Sequence, residues 1–136
     1  MRSALVLPLL LATRLLIAQN PTDLDPRITF VTTGGAWRIG ASHGYIRLIV
    51  LDPGAASDGP RLVIQWIERD GARIAVRDSR AVTAIGAPWA LGPPRFGRSS
   101  AWIRATVTGA DSAGRRTATW VIAAGPPGQY SVSVQR

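Results

Sequence analysis

The sequence predicts an all-β domain, an antiparallel β-sandwich of seven or eight short strands. Apolar and polar residues alternate with period two through most of the chain after residue 26. Fourteen glycines and ten prolines in 136 residues supply turns between the alternating stretches. No stretch after residue 26 has the 3.6-residue period of an amphipathic helix. A small open β-barrel is the alternative, because the sequence does not fix the strand order.

The first three strands lie between clear turn signals. Ile28–Thr33 ends at a Gly-Gly pair, and Tyr45–Leu51 is apolar on both faces, which is typical of a central strand. Arg61–Arg69 has the clearest alternation. We expect one of its faces to point into the core, with Leu62, Ile64 and Trp66.

A tight hairpin follows at Asp70-Gly71, because glycine accepts the positive φ that a two-residue hairpin turn needs. The return strand, Arg73–Arg77, is predicted to place Ile74 and Val76 inward. Ala81–Ile85 has the composition of a further short strand.

Gly86–Ser99 contains three glycines and three prolines, which argue against a helix or a strand ladder there. Alternation resumes in Ala101–Thr108, whose alanines, Ile103 and Val107 are predicted to face inward. Arg116–Ala123 and Tyr130–Val134 complete the set, and we expect Trp120 in the core.

Several turn glycines and aromatic residues carry a resemblance to known proteins. An inward tryptophan on the strand before a hairpin, here Trp66, suits an immunoglobulin-like core. The chain resembles a family of small exported bacterial proteins of uncharacterised function at Gly34–Trp37, Gly44–Arg47, Gln65-Trp66 and Gly125–Tyr130. The resemblance implies an immunoglobulin-like β-sandwich and carries over no catalytic residue.

The first eighteen residues predict a signal peptide. Arg2 precedes the apolar run Ala4–Ala12, and the segment ends at a small residue, Ala18. It is too short and too interrupted to cross a membrane, and without cysteine it cannot be a lipid-modified signal. We therefore expect residues 1–18 to be removed, residues 19–26 to form a polar arm and residues 27–136 to form the sandwich, in the periplasm or outside the cell.

All sixteen basic residues are arginine, and the formal net charge is +8. Without Arg2 and Arg14, fourteen arginines face eight acidic residues, a net charge of about +6. Such a surface favours an acidic partner: a polysaccharide, a lipid headgroup or an acidic protein. Export argues against nucleic acid, and a coding bias towards arginine is an alternative explanation of the excess.

The candidate reaction centres in the sequence do not fit their chemistry. Gly40–Gly44 matches the G-x-S-x-G motif of a nucleophile elbow, but a strand follows and the sole histidine, His43, lies inside the motif. Glu68 and Asp70 flank a hairpin tip, where exposed carboxylates are common. Aspartates in the turns at 52–59 and 111–114 are expected to bond their own backbone rather than calcium. We predict no enzyme activity, metal or cofactor.

The five tryptophans exceed what one small core needs. The sequence places Trp37 and Trp89 in loops and Trp102 on an outward face beside Arg104. The expected function is that of an exported, non-enzymatic binding or interaction module. Its predicted ligand-binding residues are Trp89, Arg95, Phe96, Arg98, Trp102 and Arg104. The alternative is a structural subunit of an envelope assembly, with the outward residues Val63 and Ile67 covered by a neighbour; a hydrolase is the least favoured function.

Overall fold

The computed structural model describes residues 24–54, 58–98 and 102–135. The predicted signal peptide, residues 1–18, lies outside the described residues, as do residues 19–23 of the predicted arm. Over the described ranges the chain forms strands and turns and contains no helix. The strands are β1 (Ile28–Ile39), β2 (Ser42–Leu51), β3 (Leu62–Asp70), β4 (Arg73–Ala81), β5 (Trp89–Leu91), β6 (Arg95–Gly97), β7 (Ile103–Asp111), β8 (Thr117–Ala124) and β9 (Tyr130–Gln135).

The strands form two antiparallel sheets, which confirms the predicted β-sandwich. One sheet has four strands in the order β1-β2-β3-β4. The other has five, in the order β5-β7-β8-β9 with β6 also paired to β7. Each sheet is therefore built from strands of one half of the chain. Immunoglobulin domains instead exchange strands between sheets through Greek-key connections, so the likeness to them lies in the architecture and not in the strand order.

The core lies between the sheets and is apolar. Leu62, Ile64 and Trp66 of β3 are fully buried, as the alternation predicted. The five-stranded sheet contributes alternate residues of β7 and β8 to the same core, and these are Ala105, Val107, Trp120 and Ile122. The Nε1–H of Trp66 donates a hydrogen bond of 2.9 Å to the Gly125 carbonyl, which links the two sheets through the core.

The connection from β4 to β5 carries the chain from one sheet to the other. Val82 and Ile85 in this connection are buried and belong to the core. The predicted short strand Ala81–Ile85 is wrong: β4 ends at Ala81, and turns follow it. The apolar pair that suggested a strand is instead part of the core without belonging to a strand.

The predicted inward direction of Ile74 and Val76 is also wrong. Their side chains are 56% and 51% exposed. The hairpin pairs Asp70 with Arg73, so Ile74 lies opposite Arg69 and Val76 opposite Ile67, on the outer face of the four-stranded sheet. Ile67, predicted to be open to a neighbour, is only 1% exposed, since it lies between Tyr45 and Val76 on the flanking strands.

The irregular segment Gly86–Ser99 contains two strands that its glycines and prolines were predicted to exclude. β5 and β6 are three residues each and pair with β7 on either side of Pro93-Pro94. Ladder pairing fits around the prolines because both strands are so short.

The first strand also continues past its Gly-Gly pair, through a register shift between Gly34 and Trp37.

Candidate functional site

The outer face of the five-stranded sheet brings together two of the predicted binding residues, Arg95 and Arg104. Arg95 pairs with Thr106, and Gly97 pairs with Arg104, so the two arginines lie diagonally on adjacent strands. Side chains in this relation are about 7–8 Å apart, and both arginines are exposed. We call the outward residues of β6 to β9 the arginine face.

The rest of the arginine face is uncharged and rich in hydroxyl groups. The hydroxyls of Thr108 and Thr119 share a hydrogen bond of 2.9 Å across β7 and β8. No outward position on the described strands β6 to β9 holds an acidic residue. The outward residues other than the two arginines are Gly97, Thr106, Thr108, Ala110, Thr117, Thr119, Val121, Ala123, Ser131, Ser133 and Gln135.

The arginines of this region have no carboxylate on the same face of the sheet to neutralise them. Five described arginines form ion pairs with Asp25, Asp52, Glu68, Asp78 and Asp111. Arg95, Arg104 and the adjacent exposed Arg98 form no ion pair within the described ranges. Their guanidinium groups are therefore available to an external anion.

Trp102 lies beside the arginine face, two residues before Arg104, and is 38% exposed. Its ring packs against Gly125, where an added Cβ would come within 2.9 Å of two ring carbons. The Gly125 carbonyl in turn accepts the hydrogen bond from buried Trp66. The Trp102 ring thus lies on Gly125 and borders a shallow cleft of about 240 Å³ that Arg38 also lines.

Two of the six predicted residues lie away from the arginine face. Phe96 is half-buried and packs on the core. Trp89 pairs with Asp111 at the other end of β7. Its ring meets Trp120 edge-on at 5.1 Å. The prediction that Trp37 and Trp89 lie in loops is wrong, because Trp37 belongs to β1 and is 6% exposed, and Trp89 belongs to β5.

The rejected elbow motif forms a hairpin between two strands. Gly40 has a positive φ of 57°, and Ser42 and His43 begin β2, with no helix after the serine. An open groove of about 420 Å³ brings these two residues near Glu68 and Asp70. Glu68 is paired with Arg77 at 3.3 Å.

Within the described ranges, no three His, Cys, Asp or Glu side chains cluster to hold a metal ion.

The carboxylates with clearly shifted pKa values are not part of the arginine face: Asp25 precedes β1, and Asp111 is the last residue of β7. Hydrogen bonds from the Arg27 side chain lower the pKa of Asp25 to about 2. The pKa of Asp111 is lowered chiefly by its side-chain hydrogen bond from Arg116. Asp111 also accepts the backbone N–H groups of Arg115 and Arg116, and Asp52 accepts that of Gly54. Both aspartates thus bond their own backbone, as predicted.

Comparison with protein-family models, with curated protein sequences and with solved structures gives no match for this chain. Across the described residues, no helix has the length and apolar character needed to span a membrane.

Proposed function

We propose that the chain is an exported, non-enzymatic binding module that holds an acidic polysaccharide of the cell envelope on the arginine face. The observation that carries this proposal is that Arg95 and Arg104 lie together on a face whose outward positions on β6 to β9 hold no acidic residue. They and the adjacent Arg98 form no ion pair within the described ranges. Guanidinium groups bind carboxylates and sulfates through two parallel hydrogen bonds, which gives direction as well as attraction.

The surroundings of the arginines favour a sugar polymer over the other acidic partners. The face is a strand surface rich in threonine and serine, whose hydroxyl groups can both donate to and accept from sugar hydroxyls. Trp102 offers an exposed ring held in place by Gly125, and an aromatic face provides apolar contact area for a sugar ring. Apart from Trp102 beside it, the arginine face carries no large aromatic side chain that could insert into a lipid layer.

Binding is tested with the double variant Arg95→Gln and Arg104→Gln on an immobilised acidic polysaccharide. We expect the Kd to rise at least about fivefold, because the variant loses two charge-assisted contacts. The loss per contact is moderate, since each is partly solvated. Wild-type binding should weaken as salt rises, since the contacts are exposed and electrostatic.

The matched control is Arg73→Gln with Arg115→Gln, which removes two exposed arginines that also form no ion pair in the described structure. Arg73 lies in the other sheet and Arg115 in the β7–β8 turn. If both double variants weaken binding equally, net charge alone is responsible and the arginine face is not a site. Binding to anionic lipid vesicles without binding to the polysaccharide would reassign the partner.

A further inference from the structure

The exposed edges of the two sheets are protected against pairing with another chain, with one exception. β1 carries two register shifts, between Ile28 and Phe30 and between Gly34 and Trp37. β4 has a register shift opposite Trp66 and Ile67 and bears four charged residues. β5 and β6 are three residues long and flank two prolines. Irregular register, charge and short length each discourage strand addition.

β9 has none of these features. All six of its residues pair with β8 without a register shift. Its sequence, Tyr-Ser-Val-Ser-Val-Gln, contains no charge, no proline and no glycine. Val134 pairs with Trp120, so its side chain is on the inner face of the sheet, yet it is 57% exposed. A regular, uncharged edge with an exposed apolar side chain is a template for a further strand.

The hydrogen-bond pattern shows which backbone groups this edge presents. The Gly125 N–H donates to the Gln129 carbonyl at 2.9 Å. Hydrogen-bonded and non-hydrogen-bonded pairs alternate in an antiparallel ladder, so Ser131, Ser133 and Gln135 bond to β8. The N–H and C=O groups of Tyr130, Val132 and Val134 consequently point away from the sheet.

We propose that β9 pairs antiparallel with β9 of a second copy of this chain, about a two-fold axis at Val132. The three outward-bonding residues are symmetric about Val132, so the strand is complementary to itself. Val132 then faces its own copy, and Tyr130 faces Val134 of the second copy, an aromatic and β-branched pair of a kind that stabilises sheets. The three pairs exchange about six backbone hydrogen bonds.

The distribution of charge makes this edge a place where a second copy meets little repulsion. The chain carries a formal net charge of +8, so two copies approach most easily where no cation lies on the contact. β9 bears none. At one end of the strand, the charges of Asp78 and Arg80 lie close to Gly128 and are paired with each other at 3.2 Å. At the other end, Arg136 follows Gln135 in the sequence and lies outside the described residues. This proposal does not depend on the proposed function.

The test is sedimentation equilibrium of the purified protein and of the variant Val134→Lys. We expect a monomer–dimer equilibrium for the wild type. In the variant the dimer dissociation constant should rise about tenfold or more. Each copy would bring one lysine to a position that pairs with Tyr130 of the other copy, so the interface would contain two new positive charges. Val76→Lys is the matched control: Val76 is also on an edge strand and is 51% exposed, and this variant should dimerise like the wild type.

Amide hydrogen exchange tests the geometry itself. The N–H groups of Val132 and Val134 should be protected in concentrated samples and exchange quickly on dilution, while those of Ser131 and Ser133 stay protected by β8 at both concentrations. A wild type that remains monomeric up to millimolar concentration overturns the proposal. So does a dimer in which Val132 and Val134 exchange quickly, or a dimer that Val76→Lys disrupts as strongly as Val134→Lys.

Discussion

Gly44 lies where β2 passes between β1 and β3 with no room for a side chain. It pairs with Trp37 on one side and Glu68 on the other. An added Cβ would overlap the carbonyl oxygen of Ile67 and come within 3.0 Å of the Trp37 ring. Because the overlap is with backbone, β3 itself would have to shift. We expect Gly44→Ala to lower the free energy of unfolding by about 1–3 kcal/mol in urea denaturation.

Gly86→Ala is the control for this prediction. Nothing lies within 4 Å of a Cβ built at Gly86, and its φ is one that other residues adopt. Alanine there should leave the stability unchanged or raise it slightly, since it restricts the unfolded chain. Equal stability of the wild type and Gly44→Ala would show that β3 yields without cost.

At the scale of single residues, the sequence predicted correctly which tryptophans of β3 and β8 are buried. Trp66 and Trp120 are in the core as expected, at 0% and 5% exposure. Trp37 was missed because it follows two glycines that resemble a turn. The strand continues through them by a register shift, and the ring is buried with its Nε1–H bonded to the Tyr45 carbonyl at 3.2 Å. A register shift of this kind depends on the neighbouring strand, which the local sequence does not show.

The β7–β8 hairpin depends on the Asp111 carboxylate. Oδ1 accepts the backbone N–H groups of Arg115 and Arg116 at 2.8 and 3.2 Å, and Oδ2 accepts the Arg116 Nε–H at 3.0 Å. These bonds, the side-chain bond first, lower the pKa of Asp111 below its ordinary value of 3.8. A carboxyl whose pKa is lower in the folded state stabilises the fold above its unfolded pKa and loses this contribution as the pH falls through the folded pKa.

We therefore expect Asp111→Asn to be less stable than the wild type near neutral pH. Below a pH of about 4 the difference in stability between the two proteins should become smaller, because the wild type loses the contribution of the carboxylate. Thermal melts from pH 7 to pH 2 measure both effects. Asp70→Asn, at an exposed hairpin without an ion pair in the described ranges, is the control and should run parallel to the wild type. A constant gap between Asp111→Asn and the wild type across this range would contradict the role of the charge.

At the scale of elements, the prediction was weakest where pairing partners decide the structure. β5 and β6 are short and are surrounded by prolines and glycines, so their own sequences do not identify them as strands. Both form because they pair with β7. Ile74 and Val76 alternate correctly but face outward, because the hairpin register with β3 assigns the faces. The same reasoning applies to the candidate site. Arg95 and Arg104 are nine residues apart in sequence, and only the β6–β7 register makes them neighbours.

At the scale of the whole molecule, the two proposals have a joint consequence. A two-fold axis perpendicular to the sheet at Val132 would join two five-stranded sheets edge to edge and keep their outer faces on the same side. The two arginine faces would then form one surface. From β7 of one copy to β7 of the other there are five strand spacings, or about 24 Å. An acidic polymer longer than this distance could contact Arg104 of both copies at once.

We therefore expect the dimer to bind long acidic polysaccharide chains at least about tenfold more tightly than fragments too short to span 24 Å, because the second contact is intramolecular. Val134→Lys should remove this preference for long chains and leave the affinity for short fragments unchanged. Arg104→Gln should weaken the binding of both. Titrations of each variant with size-fractionated polysaccharide separate these effects. If Val134→Lys is monomeric yet keeps the full preference for long chains, the preference arises within one copy, and β9 pairing has no part in binding.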